Sequence, residues 1–139
     1  MKVFIPTIMV IIILSLSACN SADYEEDIYI VSDRFFATQM HNIQADYPNF
    51  LGRTIQYTGI FVSDEWNGET LYFVIRFDQD CCTPGDTMGL EVYLNDINPV
   101  DDFTWVRITG VLEELNIPNF ERILRVAATH IEIVEEPGE

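Results

Sequence analysis

The sequence predicts a mainly β domain: a small five-stranded barrel with one α-helix ahead of it and a signal peptide before that. Three observations carry the prediction. Five segments rich in β-branched and aromatic residues follow one another between residues 53 and 134. Two of them carry a glycine in mid-strand, Gly59 and Gly110, as a barrel needs where its strands bend sharply. A 3.6-residue apolar periodicity marks one helix, over residues 32–47.

Within that helix Phe36, Met40, Ile43 and Tyr47 share a face, Ser32 or Asp33 can cap the start, and Pro48 stops it. The first strand covers residues 53–63, with Gly59 a bulge or bend. Asn67-Gly68 then gives a strong hairpin signal. Residues 71–77 alternate Leu71, Phe73, Ile75 and Phe77 against Tyr72, Val74 and Arg76, which assigns Phe73 and Ile75 to the core. A polar loop with the Cys81-Cys82 pair and Pro84-Gly85 leads to a short strand at 90–94. After a turn region come strands at 103–115 and 122–134, separated by Asn116-Ile117-Pro118-Asn119. The expected core is Phe36, Ile43, Ile55, Phe61, Phe73, Ile75, Val92, Val106, Ile108, Val126 and Ile131. Among small five-stranded barrels the oligonucleotide/oligosaccharide-binding (OB) barrel is the expected architecture, with the helix plugging one end. An open sheet with one packed helix is the alternative.

The N-terminus carries its own signal. Met1-Lys2 precedes an apolar run over residues 8–16, too short for the roughly 20 residues of a membrane span. It ends in Leu16-Ser17-Ala18-Cys19, which looks like the lipobox of bacterial lipoproteins; the alternative is an ordinary secretory signal with an incidental cysteine. The expected organisation is a signal peptide over 1–18, lipidated Cys19 and a tether over 19–27, an OB-like domain over 28–135, and a solvated tail over 136–139. A lipid anchor with two or more acyl chains holds a protein stably at a membrane.

Cleavage leaves 121 residues, enough for one domain with one core. Lys2 is the only lysine, so the mature part sets six arginines against 23 acidic residues, a side-chain charge of −17. That charge repels phosphate, so no nucleic-acid partner is expected, and it disfavours docking on anionic lipid heads. An acidic surface attracts cations or basic partners, or simply keeps the chain soluble.

Several stretches carry a resemblance: Phe35-Phe36, the run from Tyr47-Pro48-Asn49 through Gly52-Arg53-Thr54-Ile55, Val74-Ile75-Arg76-Phe77 before Cys81-Cys82, and Thr104-Trp105-Val106-Arg107-Ile108-Thr109-Gly110. Over about residues 28–134 the chain resembles the C-terminal domain of the bacterial DUF1980 family. The longer members pair that domain with membrane segments and are encoded beside a permease, and small lipoprotein members also look similar. The resemblance therefore implies a permease or another envelope protein as partner. This sequence departs in having Asp80 where many members have His or Gly before the cysteine pair, and in lacking the membrane-spanning half.

Cys81 and Cys82 are the candidate chemical site. Exported proteins normally oxidise their thiols. Adjacent Cα atoms lie about 3.8 Å apart, below the roughly 4.4–6.8 Å of an ordinary disulfide, so a bond between them is strained and easily reduced. Side by side, two thiolates can instead ligate Zn²⁺ or Cu(I), with Asp78, Asp80 and Asp86 as weaker further ligands. The third possibility is structural, one cysteine packing inside and the other incidental.

His41 and His130 have no partner at ligand spacing and read as ordinary residues. Tyr57 and Trp105 offer a stacking face, although core packing is the expected reading of the pair and strand parity leaves Trp105 at a barrel edge or rim at best. No Ser-His-Asp order, Gly-rich phosphate loop or paired glutamates point to catalysis. Two functions are thus expected: a non-enzymatic binding module for a ligand, metal ion or envelope partner beside a transporter, or a redox or metal-handling protein working through Cys81 and Cys82.

Overall fold

The computed structural model describes residues 27–77, 86–118 and 122–138. A two-residue strand β1 (Tyr29–Ile30) leads through a 3-10 turn into helix α1 (Phe36–Ala45). Five further strands follow: β2 (Thr54–Trp66), β3 (Glu69–Phe77), β4 (Thr87–Tyr93), β5 (Thr104–Leu115) and β6 (Ile123–Ile133). They pair in the order β2-β3-β4-β6-β5, and β5 pairs back onto β2, closing the barrel. The β4–β6 pairing is parallel and the other four are antiparallel. Strand β5 returns to lie beside the first strand of a three-strand meander, the Greek-key arrangement of an OB barrel.

Closure depends on β2 serving two partners. Thr54–Phe61 pair with β5, while Ile60–Trp66 pair with β3. The turn that starts β3 is the expected tight hairpin: Asn67 and Gly68 sit at φ 50° and 81°, the left-handed pair of a type I′ turn. The ladder irregularity falls between β5 and β6, where Thr109 and Gly110 pair with His130 and Ala128 and Thr129 of β6 is the extra residue, rather than at Gly59. Strand β1 was not expected, because two residues show no periodicity; it pairs in parallel with Ile55 and Gln56, and the Val31 N–H donates to Gln56 O at 2.9 Å.

Phe36, Met40 and Ile43 of α1 are buried in the same core as Ile55, Tyr57, Phe61, Val92, Val106, Ile108 and Val126. This is the expected helix face on the expected barrel. The alternation in β3 is the reverse of the expected one. Val74 is fully buried and Tyr72 stacks on Phe61 at 5.5 Å, whereas Phe73 and Ile75 lie on the outer face, half-buried. Leu71–Phe77 is apolar on both parities, so periodicity alone cannot choose a side; the register with β2, which sets Val74 opposite buried Phe61, decides it. Ile131 likewise packs against the core only in part.

Tyr57 is 1 % exposed, and its hydroxyl donates to Val74 O at 3.0 Å. Burial pushes its pKa well up, partly offset by the Leu90 backbone. Below about pH 10 the phenol is neutral in both states; above it, the unfolded chain releases a proton that the folded chain keeps. Stability should then fall by about 1.4 kcal/mol per pH unit from this residue. Urea unfolding across that range should show a shallower alkaline loss in Tyr57→Phe than in the parent. Parallel pH curves for the two proteins would rule out this coupling.

Candidate functional site

The reversed parity of β3 exposes a second surface. With Tyr72 and Val74 inside, Leu71 and Phe73 face out, and Phe73 lies opposite Glu91 of β4. Glu91 in turn lies opposite Arg125 of β6. In β4, Leu90 and Val92 point to the core, as does Leu94 just after it, which sends Glu91 and Tyr93 to the outside.

A groove of about 550 Å³ runs over this face. One wall is the β2–β3 hairpin, with Asp64, Trp66 and Glu69. The other is the end of β5 and start of β6, with Leu115, Ile117, Ile123 and Arg125. Leu71, Glu91, Tyr93 and Asn95 lie between them. Trp66 and Tyr93 keep 46 % and 47 % of their surface exposed, a large aromatic area left in water. A second groove, of about 640 Å³, lies between the end of α1 and the same strands, with Gln44, Tyr47, Phe73 and Arg122, and shares Glu91 and Ile123 with the first.

The arginines here are already engaged. The Arg125 guanidinium sits 4.6 Å from the Tyr93 ring centroid, and its Nε donates to Glu113 at 3.2 Å. Arg122 sits 4.2 Å over Tyr47 and donates to Glu114 at 2.6 Å. Burial pushes the Glu91 carboxyl up, and neighbouring Arg125 pulls it partly back. Glu91 is therefore a partly desolvated carboxylate in the floor of a groove whose other carboxylates, Asp64 and Glu69, are exposed on the rim.

None of the candidate site residues singled out by the sequence that are described lines either groove. Cys19, Asp78, Asp80, Cys81 and Cys82 fall outside the described residues. Asp86 is exposed just before β4. His41 and His130 are exposed and apart, on α1 and β6. No three potential ligands converge on a metal position among the described residues. Tyr57 is core, and Trp105 is half-buried with the Arg76 guanidinium 5.6 Å from its ring. The groove residues have no sequence motif because five separate strands supply them. The signal available was the alternation in Leu90-Glu91-Val92-Tyr93-Leu94, which puts one acid and one aromatic on an outer face.

The model of the DUF1980 C-terminal domain matches residues 16–139. The chain belongs to this family. The stretches that resemble it build the frame of the barrel: Gly52, at φ 78°, donates its N–H to Leu112 O, and Arg53 lies 5.4 Å from the rings of both Tyr29 and Phe50. A search of curated proteins returns no match. Among solved structures, the chain is similar to the small single-stranded DNA-binding protein from Streptomyces coelicolor, at 14 % identity and TM-score 0.37, over 60 % of this chain and 93 % of that one. It is also similar to an OBody bound to hen egg-white lysozyme, at 16 % identity and TM-score 0.42, over 65 % and 89 % of the two chains. No helix among the described residues is long and apolar enough to cross a membrane.

Proposed function

We propose that this protein is a lipid-anchored, extracytoplasmic binding module that performs no catalysis and holds its ligand in the outer groove of β3, β4 and β6. The groove carries the reading. Its volume lies within the roughly 300–1,000 Å³ of small-ligand sites, and apolar side chains line it beside a few polar groups. It also occupies the place where OB barrels present ligands, the outer strand face between the first hairpin and the loop joining the last two strands. The Leu16-Ser17-Ala18-Cys19 sequence supports the anchor, and the family's longer members support a permease or other envelope protein nearby. A metal or redox role for Cys81 and Cys82 remains a separate proposal, supported by the adjacency of two thiols in a chain with an export signal.

Two measurements test this reading. Cys19→Ser should stop incorporation of labelled fatty acid and release the protein from membranes; continued incorporation would refute the anchor. Titrating the purified protein with a small-molecule library should move the backbone amide resonances of Leu71, Glu91, Tyr93 and Arg125. Hits that gather on the β2–β5 face instead would displace the groove as the site.

A further inference from the structure

Resting on the groove as the binding site, the geometry points to its occupant: we infer that it takes a lysine-bearing peptide segment of a partner protein, the ammonium group paired with the Glu91 carboxylate in the groove floor. Charge complementarity sets the sign. Asp64, Glu69 and Glu91 line the groove, and no ion pair among the described residues uses any of them. The one cation in the lining, Arg125, is taken up by Glu113 and Tyr93. An anionic ligand would therefore meet three carboxylates and a single guanidinium already engaged by Glu113, Tyr93 and Glu91.

The groups present suit an ammonium in three ways. Asp64 and Glu69, exposed on the rim, attract a cation towards the groove. Glu91, partly withdrawn from water, forms a stronger charge-assisted hydrogen bond than an exposed carboxylate does. Leu71, Leu115 and Ile123 give the methylene stem of lysine an apolar bed. The −17 side-chain charge of the mature part adds a long-range field that steers cations inward. An extended peptide also suits the shape, since the second groove continues from the first at Glu91 and Ile123.

Calorimetric titration of the full purified chain with the peptide Ala-Lys-Ala-Lys-Ala, blocked at both ends, tests the proposal. Binding should weaken with salt. It should vanish when norleucine replaces lysine, and Glu91→Gln should weaken it about tenfold. Glu91→Gln should leave the fold intact, which its unfolding midpoint checks, and Asp64→Asn offers a second, exposed position. Three results would overturn the proposal: equal affinity for the norleucine peptide, no effect of either substitution, or tighter binding of a neutral oligosaccharide. The polyamine spermidine is the free source of the same group; if it displaces the peptide and binds at least as tightly, the partner is a small amine and the peptide assignment fails. Failure of every cationic probe while library compounds still shift the groove amides would sink the ligand class and leave the binding site standing. Silence from both sets of compounds would remove the site itself.

Discussion

Replacing Gly89 by alanine should cost about 3 kcal/mol or more, the upper end of what overpacking does. Gly89 lies in β4 opposite Ile75. A Cβ placed there would stand 2.1 Å from the Val74 carbonyl oxygen and 2.8 Å from the Ile75 Cα. Both are backbone atoms of β3, so no side-chain rotation relieves the clash; the two strands must separate or β4 must buckle. The same strands carry the floor of the groove, with Phe73 opposite Glu91. Circular dichroism should therefore show a melting temperature lower by about 10 °C or more, since each kcal/mol moves it by several degrees in a domain of this size. Gly110→Ala should behave alike, its Cβ meeting the Ala127 carbonyl oxygen at 2.3 Å and Val126 at 2.7 Å. Gly138→Ala, with nothing within 4 Å, is the control. A Gly89→Ala protein that melts with the control would show that β3 and β4 do not approach as described.

How much of this was legible beforehand depends on how each feature is encoded. The barrel was readable because its turns and bends use residue types with few alternatives. Asn67-Gly68 admits the left-handed hairpin turn at low cost, and the helix face Phe36, Met40, Ile43 repeats at a spacing that no strand uses. The side of β3 was not readable, because Leu71–Phe77 offers apolar residues to both faces and only pairing with β2 selects one. That reversal matters for the site: it places Leu71 and Phe73 outside, where they line the two grooves. The groove itself is assembled by closure, joining residues as distant as Asp64 and Arg125. Local sequence drew attention to the adjacent cysteines, since chemical reactivity is visible in a dipeptide and concavity is not.

Loss of the Arg76 guanidinium should also destabilise the protein strongly, by about 2–4 kcal/mol. Arg76 is the penultimate residue of β3, in the Val74-Ile75-Arg76-Phe77 stretch, and its side chain is only 14 % exposed. There β2 has turned away from β3, and the fork of the arginine spans the gap. Its Nε donates to the Thr58 carbonyl at 2.6 Å, its other arm pairs with Asp33, and the guanidinium sits 4.4 Å from the Phe36 ring. One side chain thus ties β2, β3 and the entry to α1. Arg76→Met keeps most of the apolar stem but leaves the Thr58 carbonyl without that donor, and Thr58 is a buried residue. Arg76→Lys should rescue little, because a single ammonium cannot serve both directions of a planar fork. Asp33→Asn should cost about 1 kcal/mol or less, since that carboxylate is half exposed and its pairing is screened. Chemical denaturation of the three variants checks the order Met, then Lys, then Asn, from most to least damaging. If Arg76→Met unfolds within about 0.5 kcal/mol of the parent, as an ordinary surface change would, the guanidinium does not hold these elements together.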